Sequence, residues 1–290
     1  METIIVRPYG YCSGVQKAIK MVKDLKRQNP EVPVYIYGML IHNRSAIEEL
    51  KQIGIITIEK DSTNMENALR TLPRGIMVTT AHGTSEKEVE IIKKLGFTYI
   101  DGTCKIVATA NKNIKNAINS GMKIIYLGKK NHPEANASIS ISPVNTIFIQ
   151  NIEDLDHVAL DVNQHYAIAV QTTIPNIEIM KVLDYLSNKH ISYDVLDNSC
   201  NANSYRQKVL MENIDDADIA LIIGDKHSNN SVELYQLAKE KLSKTYFISN
   251  VSEIDSQWFD SSTKIALVAS GVSSSNEVFE AIITYLKLIK

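Results

Sequence analysis

Short apolar runs alternate with longer amphipathic stretches along the whole chain. Val34–Tyr37, Gly75–Thr79, Lys123–Leu127, Tyr166–Val170, Ala217–Ile223 and Lys264–Ala269 read as strands, since a brief continuous apolar run bounded by turn residues suits a strand covered on both faces. Val15–Gln28, Ser45–Gln52, Glu86–Leu95, Ala108–Ser120, Ile177–Ser187, Tyr205–Met211, Ser231–Lys241 and Asn276–Leu288 read as helices, with apolar residues returning every three or four positions. Strands that alternate with helices predict an α/β fold with small, mainly parallel sheets.

The pattern also repeats on a longer scale. Cys104 lies 92 residues after Cys12, and Cys200 lies 96 after Cys104. Counting 24 to 26 residues on from each cysteine reaches Gly38, Gly128 and Gly224, each at the end of an apolar strand. A few residues later come His42, His132 and His227, and further on His82, Thr172 and Ser273, again after apolar strands. The chain therefore reads as three related α/β units of about 95 residues, with boundaries at 1–103, 104–199 and 200–290. Ligand groups collect outside the carboxyl ends of parallel strands, so three such units arranged as a trefoil would turn their polar loops toward one central cavity.

Composition narrows the choice of partner. With 44% hydrophobic residues in 290, the chain can build a substantial core, and no apolar run approaches a membrane span. Basic and acidic residues nearly balance, 31 against 33, which removes a general attraction to nucleic acid or membrane. No export-type leader is read at METIIVRPYG, and three cysteines are an odd number for a disulfide framework. A reducing cytoplasm is the expected setting.

The cysteines sit in polar, turn-like contexts, YGYCSG, DGTCKI and DNSCNA, rather than in apolar runs. Three converging thiolates could hold zinc, serve a redox partner or bind an iron–sulfur cluster; no local C-x2-4-C pair marks a zinc site. A [4Fe–4S] cluster on three cysteines keeps one iron without a protein thiolate. His42, His82 and His132 are candidates to hydrogen-bond an anion, and the Ser228–Ser231 run and Ser273 resemble phosphate cradles at helix starts. Glu134, two residues past His132, is the candidate proton donor, with Thr172 as its relay or substrate contact. His157, His165 and His190 lie in contexts that suit structural roles.

Taken in order, PYGYCSGVQKAI, IHN, TAHGTS, DGTCKIV, HPE, QTT, SCNANSYRQ, GDKHSNNS and SGVSSSNE resemble the motifs of the 4-hydroxy-3-methylbut-2-enyl diphosphate reductase family, which closes the methylerythritol phosphate route to isoprenoids. The resemblance implies a trefoil around one [4Fe–4S] cluster with an open fourth iron, held by Cys12, Cys104 and Cys200. It implies an oxidoreductase that removes the allylic hydroxyl of the substrate with two electrons and two protons, giving isopentenyl and dimethylallyl diphosphate. His42, His82, His132, Ser228, Asn229, Asn230 and Ser273 would hold the diphosphate, and Glu134, Thr172 and His132 would serve the chemistry. A ferredoxin or flavodoxin is the implied electron donor.

The chain also departs from the family pattern. Lys105 replaces a proline, Tyr9 an arginine, and His227-Ser228-Asn229-Asn230 stands for Asn-Ser-Ser-Asn. The tail after HPE is ANASIS, and VSSSN follows Gly271. These changes fall where the substrate's tail or phosphates would lie. The alternative reading is accordingly a diverged paralogue that keeps the cluster and trefoil but acts on another small molecule.

Overall fold

A computed structural model of the chain describes residues 1–41, 43–60, 64–196 and 201–289. From the N-terminus come β1 (Glu2–Ile5), α1 (Ser13–Gln28), β2 (Val34–Tyr37), α2 (Arg44–Gln52), β3 (Ile55–Ile58), α3 (Met65–Arg70), β4 (Ile76–Thr79), α4 (Glu86–Lys94) and β5 (Thr98–Ile100). Next are α5 (Lys105–Asn119), β6 (Lys123–Leu127), α6 (Pro133–Ile139), β7 (Thr146–Ile149), β8 (His165–Val170), α7 (Asn176–Asn188) and β9 (Ser192–Val195). The last stretch holds α8 (Asn201–Asn213), β10 (Ile219–Ile223), α9 (Asn229–Lys241), β11 (Thr245–Ile248), β12 (Ile265–Ser270) and α10 (Asn276–Leu288).

The strands form three four-stranded sheets, ordered β3-β2-β4-β5, β7-β6-β8-β9 and β1-β12-β10-β11. The recorded ladders are parallel, with registers such as Ile36↔Val78, Ile125↔Ile168 and Leu221↔Val268. This is the α/β class that the apolar pattern predicts. All three sheets share one order, in which the first and third strands of each repeat lie at the centre and the second and fourth at the edges. In the last sheet the fourth place is taken by β1, which pairs with β12. The N-terminal strand thus completes the sheet built by the C-terminal residues.

The chain divides into two compact units. One comprises Met1–Asp24, Leu40–Ile55 and Asn201–Lys290 and carries the sheet that contains β1. The other comprises Leu25–Met39 and Ile56–Cys200 and carries the remaining two sheets.

Alternation along each central strand explains the layering. In β10 and β12, Ile219, Leu221, Ile223, Ala266 and Val268 pack with Phe279, Ile282 and Leu286 of α10. Ala220, Ile222, Leu267 and Ala269 face the opposite way, toward Leu210 of α8 and Leu234 and Ala238 of α9. The sheet of β6 and β8 does the same, with Ile125, Leu127 and Ile168 against α7 and Ile124, Tyr126 and Ala169 against α5 and α6. Both faces of each sheet are apolar, so the polar chemistry is pushed to the loops at the strand ends. Among the described residues no helix is long and apolar enough to cross a membrane.

Candidate active site

Every predicted site residue outside the cysteine turns follows one of the six central strands. His42 comes after β2, His82 after β4, His132 and Glu134 after β6, Thr172 after β8, Ser228–Asn230 after β10 and Ser273 after β12. Each cysteine follows a fourth strand and precedes a helix: Cys12 between β1 and α1, Cys104 between β5 and α5, Cys200 between β9 and α8. His42 and Cys200 lie outside the described residues.

In the second unit the central feature is Glu134, which is 3% exposed. Asn131 adopts a left-handed backbone, φ 62°, a conformation that asparagine tolerates better than most residues. The chain then turns into α6, where His132 is the N-cap and Pro133 the first helical residue. His132 Nδ1 accepts a hydrogen bond from Glu134 N–H at 3.2 Å, which leaves Nε2 as the protonated nitrogen of the neutral ring. One oxygen of the Glu134 carboxyl accepts from Thr172 N–H at 2.7 Å and the other from Thr172 Oγ1–H at 2.8 Å. Burial disfavours the charged carboxylate, while the two Thr172 bonds favour it. Burial wins, and the Glu134 pKa is pushed up to about 7.

Thr172 is itself held in place. Gln171, 1% exposed, accepts from Lys129 N–H at 2.9 Å and donates to Thr173 Oγ1 at 2.8 Å. His82 presents its ring edge-on to His132, with centroids 5.4 Å apart. Cys104 is half-buried and free, and its N–H donates to Ala81 O, the residue before His82, at 3.0 Å. His82, Cys104, His132, Glu134 and Thr172 therefore all belong to the loops of this unit. Lys105 is exposed at the start of α5.

The first unit repeats the arrangement. Cys12, also half-buried and free, donates its N–H to Val272 O, the residue before Ser273, at 3.0 Å. Two residues before each of these cysteines is a glycine whose N–H meets a hydroxyl at a strand end: Gly10 to Ser270 Oγ at 3.0 Å, Gly102 to Thr79 Oγ1 at 3.3 Å. Gly10 is left-handed, φ +73°, and a Cβ there would lie 1.7 Å from Asn276 Oδ1. Gly10→Ala is therefore expected to cost about 1–2 kcal/mol from the backbone alone, read as a lower denaturation midpoint, with more lost if Asn276 cannot move aside. Tyr9, the departure from the family arginine, stacks on Phe279 with centroids 4.0 Å apart and donates its hydroxyl to Glu280. Here it anchors the turn to α10.

Ser228, the N-cap residue of α9, accepts from Ser273 Oγ at 3.0 Å, and both are buried. The amide of Asn230 is taken up within the protein: Oδ1 accepts from Val272 N–H at 2.7 Å and Nδ2 donates to Asn203. Asn229 is half-buried in the first turn of α9. Beside this cradle the residues after His42 are tied down as well. Asn43 caps α2 and donates to Ser273 O at 2.8 Å. Arg44 approaches His227 Nε2 at 3.1 Å, and both backbones donate to the Asp225 carboxylate. Asn43, Arg44, Asp225 and His227 line a cavity of about 400 Å³ together with Ser249, Asn250 and Ser275.

Sequence reasoning gave no separate role to Gln171, Asn203, Tyr126 or Arg206, although QTT contains Gln171 and SCNANSYRQ contains Asn203 and Arg206. The shared Gly-x-Cys spacing at Gly10 and Gly102 was the available signal for the cysteine turns. All four are buried polar groups, and of them only Tyr126 lies outside the quoted motifs.

The LytB protein family matches residues 3–287. The 4-hydroxy-3-methylbut-2-enyl diphosphate reductase of Symbiobacterium thermophilum is 30% identical over 289 residues, covering 99% of this chain and 97% of that protein. The solved E-1-hydroxy-2-methyl-but-2-enyl-4-diphosphate reductase from Plasmodium falciparum shares the fold, with a TM-score of 0.88 at 24% identity over 99% of this chain and 87% of that one. A solved (E)-4-hydroxy-3-methyl-but-2-enyl diphosphate reductase, described as the terminal enzyme of the non-mevalonate pathway, aligns over 100% of both chains with a TM-score of 0.72 and 25% identity. With a family match that runs nearly end to end, the chain belongs to the LytB protein family.

Proposed function

We propose that this chain reduces 4-hydroxy-3-methylbut-2-enyl diphosphate to isopentenyl and dimethylallyl diphosphate, as the names of its relatives indicate. The balance is simple: the allylic C–O bond breaks, two electrons and two protons enter, one proton leaves with the hydroxyl as water and the other ends on carbon. The observation that carries the reading is the buried Glu134 carboxyl, gripped by Thr172 and poised with a pKa of about 7. A carboxyl that is half protonated near neutral pH suits proton delivery to a leaving hydroxyl.

Cys12, Cys104 and Cys200 would hold a [4Fe–4S] cluster with one open iron. The surroundings of the two described cysteines fit an anionic sulfur ligand. Val15 N–H of α1 points at Cys12 Sγ at 3.5 Å, and Cys104 is the N-cap of α5; amide dipoles at helix starts stabilise thiolates. When bound, the cluster supplies the electrons and a Lewis-acid position for the hydroxyl oxygen.

The chain's own residues do the rest. Glu134 holds and delivers the proton, Thr172 orients it, and His132 donates from Nε2. His42, His82, His132, Ser228, Asn229 and Ser273 receive the diphosphate, with Asn230 fixing the turn before Ser273. A low-potential ferredoxin or flavodoxin is the proposed donor.

The test is anaerobic purification of the full chain, assay of iron and acid-labile sulfide, and turnover of the allylic diphosphate with a reduced donor. A brown protein that forms both products is expected. An iron-replete, reduced protein that leaves this substrate untouched would overturn the substrate assignment and favour the paralogue reading.

Thr172→Val removes the hydroxyl bond to Glu134 and keeps the backbone one. Because that bond favours the carboxylate, its loss raises the Glu134 pKa further. The alkaline limb of the pH–rate profile is expected to move to higher pH in Thr172→Val, and an unmoved limb would separate Thr172 from the titrating group.

A further inference from the structure

Arg206, on α8, is 2% exposed and is the bulkiest fully buried side chain among the described residues. Burying a guanidinium is costly unless it is hydrogen-bonded, and both terminal nitrogens of Arg206 have acceptors. Nη1 donates to Ser270 O at 2.8 Å and reaches Ser270 Oγ at 3.4 Å, while Nη2 donates to Gly10 O at 2.7 Å. Ser270 Oγ also accepts from Gly10 N–H. Both polar backbone groups of Gly10 are therefore engaged, one by the end of β12 and the other by Arg206. Two residues on, Cys12 N–H is fixed to Val272 O.

The repeat shows that this arginine is an exception. Arg206 lies six residues after Cys200, and the positions six after Cys12 and Cys104 are Ala18 and Ala110. All three positions are buried, the alanines at 4% and 5% exposure. Alanine therefore satisfies the packing of this helix position in two repeats. The third carries a charged fork that reaches the glycine of the Cys12 turn.

We propose that Arg206 is a positioning residue for Cys12. Its planar fork spans the Gly10 and Ser270 carbonyls and sets the turn from which the Cys12 thiolate is presented. A lysine keeps the charge but is a point donor without the fixed fork that spans two carbonyls. The functional consequence rests on the reading above that Cys12 holds the cluster; the structural one does not.

The experiment uses the full chain as wild type, Arg206→Lys and Arg206→Gln, purified anaerobically. Two quantities are read: amide hydrogen exchange in peptides covering residues 8–14 and 219–223, both in the unit that holds Arg206, and the rate at which a chelator removes iron. In Arg206→Gln, exchange over 8–14 is expected to rise about 10-fold or more with 219–223 unchanged, since a turn can open locally without the core strand of its own unit. Iron release is expected to speed up about 10-fold or more, the usual cost of losing an outer-shell partner. Arg206→Lys should fall between the two and remains informative if Arg206→Gln does not fold. Exchange that rises evenly in both peptides would show a general stabilising role and overturn the proposal. Local loosening with unchanged iron release would overturn the link to Cys12. A wild type without iron would defeat the functional reading, while exchange over 8–14 would still decide whether Arg206 holds the turn.

Discussion

Glu134→Gln is expected to lower turnover by about 10²–10⁴-fold, the usual contribution of a positioned general acid, with iron content unchanged. Glutamine matches the carboxyl in shape and can still accept a bond from Thr172, but it has no acidic proton to give. The wild-type rate should fall as pH rises through about 7, where Glu134 loses its proton, and the residual rate of the variant should lack that limb. Stability supplies a second readout that needs no substrate. The folded pKa lies above the unfolded value of 4.5, at about 7, so the folded chain binds the extra proton between those limits. That contribution is fully present below pH 4.5 and is lost as pH rises to about 7, amounting to about 3 kcal/mol at 1.36 kcal/mol per unit. Glu134→Gln should not suffer this loss, so its advantage in denaturation midpoint should grow from pH 5 to pH 8. Parallel stability profiles for the two proteins would mean that Glu134 is already ionised at neutral pH, and its role as acid would fall.

The legible and illegible parts of the fold divide along a physical line. The six strands predicted from apolar runs correspond to β2, β4, β6, β8, β10 and β12, the two central strands of every sheet. They are buried along nearly their whole length, as in Val34–Tyr37 and Ile219–Ile223, because helices cover both faces. The strands that escaped notice, β1, β3, β5, β7, β9 and β11, are the sheet edges. Their residues are mostly half-exposed or exposed, as in Thr98–Ile100 and Ser192–Val195, so their composition is mixed and no run stands out. Helix α6 was missed for a related reason: it has seven residues and lies inside the histidine–glutamate motif. The strand-end loops were legible because the repeat puts the same residue types at similar spacings. The supports behind them were not. Arg206 and Tyr126 belong to residue types that usually reach solvent at one end, yet Arg206 is 2% and Tyr126 1% exposed. The SCNANSYRQ motif includes Arg206, but nothing local in the sequence shows that its charge is buried or that its partners lie 64 and 196 residues away.

Replacing Cys104 by serine should separate chemistry from folding. Cys104 is the N-cap of α5 and makes no side-chain capping bond. Serine is among the best N-cap residues, and its hydroxyl can accept from the first turn of the helix. The variant should therefore fold as well as the wild type or gain up to about 1 kcal/mol, judged by its denaturation midpoint. Its backbone anchor, Cys104 N–H to Ala81 O, is untouched by the change. A serine oxygen, however, is a poor substitute for thiolate toward iron–sulfur centres. Iron content after anaerobic purification should drop steeply, and turnover should fall by more than the roughly 10–100-fold that loss of an outer-shell partner costs. Cys12→Ser should behave the same way, because Val15 N–H, now 3.5 Å from Cys12 Sγ, would find a hydroxyl acceptor in its place. A stable, fully active Cys104→Ser protein with its iron intact would break the proposal that these thiolates hold the redox centre, since a buried cysteine with a merely packing role is the one kind that serine can replace at no cost to the reaction.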